Sequence, residues 1–439
     1  MKIRDYYGTP EVRARMIESL GGSRLEEATC SYIGRCYDSI KPGFNMRRPG
    51  DLDFFLAQEW DVARSLWDKQ SLVADLDIEY VNFDFPAEPF LDYRRTFSLQ
   101  EPILDAAATL LTSVGLRPLR AISGRGYHLL WRVQPGSPAF EALVEIGRVP
   151  PALERMYALP QPPDAVPVPP AMGQAFAGLG LIMEYLSQRI LAEAQALCPI
   201  PIVPEAIDRG PQERGREIME LDISEYGDPL HTRAVRIPFS LYLKPWQLPN
   251  VLNAETEGRI PVMVMVPTDG LGTEEAALIL RDLGQAAAWA TQVNCLLPDC
   301  SSGMEGLIAL YRDSELCRFH DWYYSVEQEP PEQWPFTYDR MSLDGLPPVV
   351  RYALEHPNEA LLQPGFVRPI VAVLLEQGWH PRHIAGLIRS KYERDYGWLN
   401  QWFVYDAGTR ADFHVRVLGG MMAMGHDPEM ADLGLRMAD

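Results

Sequence analysis

The stretch SLVADLDIEY, residues 71–80, determines how the rest of the sequence is interpreted. Apolar and acidic residues alternate along it, which is typical of a β-strand with one polar face. Because alternate residues of a strand point to the same side, Asp75, Asp77 and Glu79 would share that face. Carboxylates at this spacing can bridge hard divalent cations. A solvated strand face has the same pattern, so that alternative stays open at this point.

The segments around this strand alternate between helical and extended patterns. Residues 1–70 predict a mainly helical N-terminal segment, and a further helix is expected at about 100–114. The run 119–133 predicts a strand, a glycine turn and a second strand. Residues 150–170 are rich in proline, which interrupts helices and central strands, so they predict an extended insertion. The sequence therefore predicts the α+β class.

The chain is expected to divide into four consecutive parts. These are an N-terminal helical segment (1–70), a catalytic domain (71–290), a candidate zinc-binding segment (291–330) and a helical accessory domain (331–439).

Composition restricts the classes of function. The 439 residues carry 40 basic and 60 acidic side chains, a net charge of −20, which argues against a protein that coats nucleic acid through bulk charge. An enzyme that holds a strand in a local basic groove stays compatible with this charge. The sequence shows no secretory signal and no apolar run long enough for a membrane span, so we expect a cytoplasmic protein with no membrane partner.

A second motif is the run SGRGYH, residues 123–128. Gly124 and Gly126 would let the backbone approach an anion closely, and Ser123, Arg125 and His128 would add side-chain donors. Such a turn can hold a triphosphate. A tight turn with a buried histidine uses the same residue types, so both interpretations stay open.

A third motif begins at Asp222 and continues after a Gly-Asp-Pro turn into the run RAVRIPFS, residues 233–240. The pattern predicts two strands around that turn. Arg233 and Arg236 lie in an otherwise apolar strand, where charges are costly unless they meet partners or a ligand. Because they are three residues apart, a regular strand would send them to opposite faces.

Taken in order, these three motifs resemble those of the catalytic subunit in the archaeo-eukaryotic primase superfamily, the primases and primase-polymerases. The matching stretches are LVADLDIEY, SGRGYHLLW, and LD followed by RIPFSLYLK, within residues 70–245. The resemblance implies a core with a sheet like that of the RNA-recognition motif. It also implies DNA-template-directed nucleotidyl transfer, with NTPs or dNTPs added to synthesise or extend primers.

The resemblance further implies the roles of individual residues. Asp75, Asp77 and Asp222 would hold two Mg²⁺ or Mn²⁺ ions at the catalytic centre. The nucleotide would be bound by Ser123, Gly124, Arg125, Gly126, His128, Arg233, Arg236, Ser240 and Lys244. Expected partners are single-stranded or primer–template DNA, and proteins of a replication or defence system. Asp84 would lie on the opposite strand face from Asp77, and we expect it to be structural.

Cys295, Cys300, Cys317 and His320 supply four soft ligands, which predicts a closed zinc site. Their spacing is not a standard one. Reduced cysteines in a partly buried loop are the alternative interpretation.

The tail from Leu346 resembles the helical C-terminal domain of the primase large subunit. The iron–sulfur cysteine of that domain is absent, because no cysteine follows Cys317. Basic residues interleaved with aromatics such as Tyr396 and Trp398 suit contact with nucleic acid. The nucleic-acid-binding candidates are Arg382, Arg389, Lys391 and Arg394. A solvated amphipathic helix is the alternative.

Two other classes of function compete with an active primase-polymerase. One is a catalytically silent relative that binds nucleic acid or nucleotide as a subunit of a defence or mobile-element complex. The three carboxylates argue against it, since an idle site has no reason to keep them together. The other is a different metal-dependent nuclease or phosphotransferase, which would leave SGRGYH and RIPFS without a common explanation.

Overall fold

A computed structural model describes most of the chain. The described residues are 1–36, 46–205, 207–248, 251–253, 255–357, 362–394 and 406–426. They form a mixed arrangement of helices and sheets, so the predicted α+β class is confirmed. Within these ranges, no helix is both long and apolar enough to cross a membrane.

The strands are short, apart from the one predicted at residues 71–80. They are β1 (Ile33–Gly34), β2 (Ala63–Ser65), β3 (Leu72–Asn82), β4 (Leu119–Ile122), β5 (Gly126–Val133), β6 (Ile202–Val203), β7 (Glu217–Asp222), β8 (Ala234–Arg236), β9 (Leu241–Tyr242), β10 (Met263–Val264) and β11 (Val266–Pro267).

The helices of the first two thirds of the chain surround these strands. They are α1 (Ile3–Tyr7), α2 (Pro10–Ser19), α3 (Leu52–Ala57), α4 (Glu88–Leu91), α5 (Tyr93–Ser113), α6 (Pro138–Ile146), α7 (Pro151–Tyr157), α8 (Pro170–Ala194), α9 (Lys244–Gln247), α10 (Thr273–Ile279) and α11 (Leu283–Trp289). The remaining helices are α12 (Ser301–Arg312), α13 (Glu315–Tyr323), α14 (Pro348–Glu355), α15 (Pro364–Glu376), α16 (Pro381–Tyr392) and α17 (Ala407–Ala423).

The central sheet has six strands in the order β11-β4-β5-β3-β7-β6. All neighbours are antiparallel except β6 and β7, which run parallel. Strand β3 lies inside the sheet and buries Leu76 and Ile78 completely, and helices α5 and α8 pack against it. Since strand side chains alternate, the opposite face of β3 carries Asp75, Asp77 and Glu79.

Two smaller sheets complete the strand pairing. One has the order β1-β2-β8, and the other pairs β9 with β10. The prediction for residues 1–70 is therefore wrong in part, because this segment contains β1 and β2 as well as three helices. The two strands predicted around the Gly-Asp-Pro turn are present as β7 and β8, but they lie in different sheets. Strand β7 belongs to the central sheet, whereas β8 pairs with β2.

The proline-rich stretch 150–170 is not wholly extended, because it contains helix α7. Pro150 precedes this helix and Pro151 occupies its first position, where the missing N–H would have no intrahelical partner. The candidate zinc-binding segment 291–330 is built mainly of α12 and α13. The predicted helical tail is confirmed by α14 to α17. Helix α17 is buried along most of its length between α13, α15 and α16.

Candidate active site

The strand register brings the acidic residues of distant motifs together. Asp77 on β3 pairs directly with His128 on β5 and, on its other side, with Asp222 on β7. Asp75 lies two residues earlier on the same face of β3. Directly opposed residues in antiparallel strands have Cβ atoms about 5 Å apart. The first motif, the end of the second and the start of the third therefore meet on one face of the central sheet.

His128 bridges the two aspartates of β3. Its Nδ1 lies 3.0 Å from Oδ2 of Asp75 and 3.7 Å from Oδ1 of Asp77. Burial disfavours the charged ring, but attraction by Asp77 and Asp75 outweighs it and raises the pKa of His128 to about 9. The ring is therefore a cation at neutral pH and balances part of the negative charge.

Negative charge is nevertheless in excess on this face. Oδ1 of Asp77 is buried and finds no hydrogen-bond partner among the described residues. Burial, together with the charges of Asp75 and Asp222, raises the pKa of Asp77 to about 6 despite the opposing charge of His128. Burial and the charge of Asp222 likewise raise the pKa of Glu220 to about 8. A bound cation would relieve this repulsion.

Asp77 and Asp222 are the candidate ligands for a hard divalent cation at this cavity. In the part of the chain that is described, no group of three or more His, Cys, Asp or Glu side chains converges on one point, and Asp75 is turned toward His128. Asp77 and Asp222 nevertheless both line the same cavity, and they lie directly opposite each other on the neighbouring strands β3 and β7. Carboxylate oxygens are the ligands that Mg²⁺ and Mn²⁺ prefer, and buried Oδ1 of Asp77 lacks a hydrogen-bond partner among the described residues.

The cavity beside these carboxylates has a volume of about 320 Å³. Arg125, from the turn between β4 and β5, and Lys244, at the start of α9, line it together with Glu79. Nζ of Lys244 lies 3.0 Å from Oε1 of Glu79, and Arg125 forms an ion pair with the same carboxylate. Two predicted nucleotide-binding cations therefore lie in the same cavity as Asp77 and Asp222.

The rest of the SGRG turn has a packing role instead. A Cβ at Gly124 would lie 2.5 Å from the ring of Tyr242, and one at Gly126 would meet the carbonyl oxygen of Ile78. Ser123 is fully buried, and its backbone N–H donates to the carbonyl of Gly126. The glycines thus allow close packing of the protein's own atoms. Ser123, Gly124 and Gly126 make internal packing contacts in this structure, and their role in nucleotide binding stays a prediction.

Arg233 and Arg236 lie outside the cavity lining as described. Arg233 precedes β8, pairs with Asp228 and donates to the carbonyl of Ser224 over 3.2 Å. Arg236 is buried, 3.3 Å from Asp61, with its guanidinium over the ring of Tyr242.

Ser240 is also buried, and its hydroxyl accepts from the N–H of Val62. These three predicted nucleotide ligands therefore serve internal contacts in this structure.

The structure does not assemble the predicted zinc site. The thiol of Cys300 donates to the carbonyl of Arg117, and the backbone N–H of Cys295 donates to Glu18. His320 uses both ring nitrogens, one 2.9 Å from Glu184 and the other 2.9 Å from the hydroxyl of Tyr311. Cys317 is partly buried on α13. Because these four side chains do not converge on one point, the alternative of reduced, mostly buried cysteines describes them better.

The four nucleic-acid-binding candidates of the tail are each ion-paired. Arg382 pairs with Asp412, Arg389 pairs with Glu393, and Lys391 and Arg394 both pair with Asp339. Tyr396 and Trp398 lie outside the described residues. The predicted nucleic-acid surface is thus largely neutralised by the protein's own carboxylates. Asp84 pairs with Arg216 at 2.8 Å, as suits a structural residue.

Sequence reasoning missed the contribution of α17 to the cavity. Arg410, Phe413 and His414 from this helix line it, opposite the strands. Nδ1 of His414 lies 2.7 Å from the buried carboxylate of Glu205, which lines the cavity as well. No motif marks these residues, because only tertiary docking brings the helix there. Glu220 could have been found, since it lies two residues before Asp222 on the same strand face.

Comparison with known proteins identifies no relative: no family model, curated protein or solved structure matches the chain. The fold and the cavity define a mixed α+β protein with clustered carboxylates beside clustered cations.

Proposed function

We propose that this protein is a DNA-template-directed nucleotidyltransferase of the primase-polymerase kind, which adds NTPs or dNTPs with the help of Mg²⁺ or Mn²⁺. One observation carries the proposal. Asp75, Asp77, His128 and Asp222 come from three distant motifs, yet they meet on one sheet face beside a cavity that also holds Arg125 and Lys244. Phosphoryl transfer needs acids for cations beside donors for phosphate, and this cavity offers both.

Asp75, Asp77 and Asp222 would hold the divalent cations. When bound, these cations lower the pKa of the attacking 3′-hydroxyl and neutralise the leaving pyrophosphate. The resemblance to primases and the mainly antiparallel sheet backed by α5 and α8 support a core related to the RNA-recognition motif.

The chain's own cations would bind the nucleotide phosphates. Arg125 and Lys244 share Glu79 in the free protein, and a triphosphate carries more charge than that single carboxylate. Both side chains would exchange Glu79 for phosphate oxygens without a large backbone change. His128 keeps a proton against Asp75 and presents a charged donor to the same face.

The proposed partners are NTPs or dNTPs and single-stranded or primer–template DNA, in the cytoplasm. Incorporation of labelled nucleotides on a single-stranded template, with and without primer and in Mg²⁺ or Mn²⁺, tests the proposal. Metal-dependent, template-directed product that Asp75→Asn abolishes is the expected result. A folded protein that binds DNA or nucleotide but makes no product under any condition would indicate the silent binding subunit instead.

A further inference from the structure

The cavity is shared between the central sheet and the C-terminal helices. The strands supply Asp77 and Asp222, whereas α17 supplies Arg410, Phe413 and His414 from the opposite side. Helix α17 follows the catalytic motifs by well over a hundred residues. Because it closes one wall, the helical tail is part of the candidate site in addition to any contact with nucleic acid.

Helix α17 also grips the segment that follows the third aspartate. The guanidinium of Arg410 binds Asp228 through two hydrogen bonds of 2.7 and 3.0 Å. The carboxylate of Asp228 is fully buried and also pairs with Arg233. Next to it, Gly227 lies so close to Phe413 that a Cβ would be 2.7 Å from the ring. A bidentate, buried ion pair of this kind fixes both partners in position.

The segment bound by α17, residues 222–228, contacts two of the three proposed cation ligands, Asp222 and Asp75. Oδ1 of Asp222 accepts the N–H of Ser224 over 2.9 Å. The hydroxyl of Tyr226 donates to the carbonyl of Asp75 over 2.8 Å and accepts the N–H of the same residue over 3.1 Å. A shift of this segment would therefore move Asp222 and loosen Asp75 together.

We propose that helix α17 is a positioning element of the candidate active site, in which Arg410, acting through Asp228, fixes the segment that orients Asp222 and Asp75. The inference rests on the proposed role of these aspartates as ligands of a divalent cation. Arg410 is a positioning residue, comparable to the outer partners that orient metal-ligating side chains. The helical tail would then govern the geometry of the cation site.

The test measures Mn²⁺ affinity by electron paramagnetic resonance, so that it does not depend on turnover. Arg410→Met should weaken Mn²⁺ binding by about tenfold or more, the usual effect of losing such an outer partner. Arg410→Lys keeps the charge but cannot bind Asp228 through two nitrogens. Its Mn²⁺ affinity should therefore lie between that of the unmodified protein and that of Arg410→Met. Arg13→Met is the matched control, because Arg13 binds Asp53 through two hydrogen bonds of 2.7 and 3.0 Å and neither residue lines the cavity. Its affinity should stay within about twofold.

The Asp228→Asn background separates positioning from direct contact. If Arg410 acts through Asp228, Arg410→Met should have no further effect on Mn²⁺ affinity in that background. In an incorporation assay, Arg410→Met should lower kcat more than it raises KM for the nucleotide, because the cation site rather than the nucleotide site is displaced. Thermal unfolding identifies a temperature at which every variant is folded.

Three results would overturn the inference. They are unchanged Mn²⁺ affinity in both folded Arg410 variants, a further loss caused by Arg410→Met in the Asp228→Asn background, and absence of Mn²⁺ binding by the unmodified protein. A different result would separate this inference from the proposed function. If the unmodified protein incorporates no nucleotide but binds Mn²⁺ in an Arg410-dependent way, the proposed activity fails and the inference holds.

Discussion

Asp77 on β3 and Asp222 on β7 lie directly opposite each other in neighbouring antiparallel strands. Like charges in this position destabilise a sheet. Asp75 lies on the same face of β3, and the cationic ring of His128 balances only part of the charge of the aspartates. A protein that holds such a pair in its central sheet gives up stability at that place, which is typical of functional sites.

Replacing one carboxylate of this pair should stabilise the metal-free protein. Asp77→Asn removes a buried charge but keeps the shape of the side chain, and we expect the free energy of unfolding in chelator to rise by about 1–3 kcal/mol. Urea unfolding followed by circular dichroism measures it. Mn²⁺ should stabilise the unmodified protein and not the variant. Only a protein with all of its cation ligands binds Mn²⁺ in the folded state and gains stability from that binding.

Asp84→Asn is the control for this prediction. Asp84 follows the end of β3 and forms an ion pair with Arg216, which holds the pKa of its carboxyl below the usual range. Its replacement should not increase stability and should leave the effect of Mn²⁺ intact. A loss of stability in Asp77→Asn would show that this carboxylate is paired rather than frustrated.

The buried ion pair between α8 and α17 should be important for docking of the tail. Glu184 is almost fully buried, with Oε1 2.8 Å from Nε of Arg416 and Oε2 2.9 Å from His320. Glu184→Gln leaves the guanidinium without its main counter-charge, so we expect a loss of about 3 kcal/mol in unfolding free energy. Glu193→Gln, on the exposed side of α8, should change it by less than about 0.5 kcal/mol. Equal effects of the two substitutions would contradict this account of the interface.

The basic residues at the end of α16 should contribute little to DNA binding. Lys391 and Arg394 lie 3.1 and 2.7 Å from the carboxylate of Asp339, which engages both side chains and balances one of their two positive charges. The double substitution Lys391→Gln and Arg394→Gln should keep the affinity for single-stranded DNA within about twofold and leave its salt dependence unchanged. Fluorescence anisotropy across a salt series checks this. A clearly flatter salt dependence would show that these residues bind phosphates.

Buried His231 predicts a loss of stability in acid. Burial lowers the pKa of His231 to about 4, below that of an unfolded histidine near 6.5. The unfolded chain therefore binds a proton first as the pH falls, and stability that is complete above pH 6.5 declines toward pH 4. Between pH 7 and pH 5 the unmodified protein should lose about 2 kcal/mol more than His231→Phe.

His356→Phe is the control for this pH dependence, because His356 is exposed on the surface. Chemical unfolding at several pH values should give the unmodified protein and this control the same profile. If His231→Phe shows that profile as well, protonation of His231 does not contribute to acid instability.

The central strands could be predicted because their pattern is local. Period-two alternation in residues 71–80 and the glycine turn after Ile122 identify β3 and the hairpin of β4 and β5. The α+β class and the helical tail follow from the same kind of local signal. The direct pairing of Asp77 with Asp222 is a matter of sheet order, which one sequence does not reveal without the resemblance.

The contacts of the other candidate site residues could not be predicted, because they depend on tertiary packing that leaves no local pattern in the sequence. Arg233 and Arg236 look like ligands in the sequence, but buried Asp228 and Asp61 neutralise them in the fold. The four candidate zinc ligands are close in sequence, yet the fold does not bring them together: Cys295 lies by Glu18, Cys300 by Arg117, and His320 by Glu184. Arg410 has no motif around it, and only the docking of α17 brings it to the cavity.

Template-directed nucleotide incorporation by Asp222→Asn, compared with Asp84→Asn and the unmodified protein, tests the central claim most directly. Both substitutions remove one carboxylate, but only Asp222 faces Asp77 at the cavity. The account predicts metal-dependent product from the unmodified protein and from Asp84→Asn, and a loss of at least about a hundredfold in Asp222→Asn. Equal incorporation by all three proteins, or product that does not require a divalent cation, would contradict it.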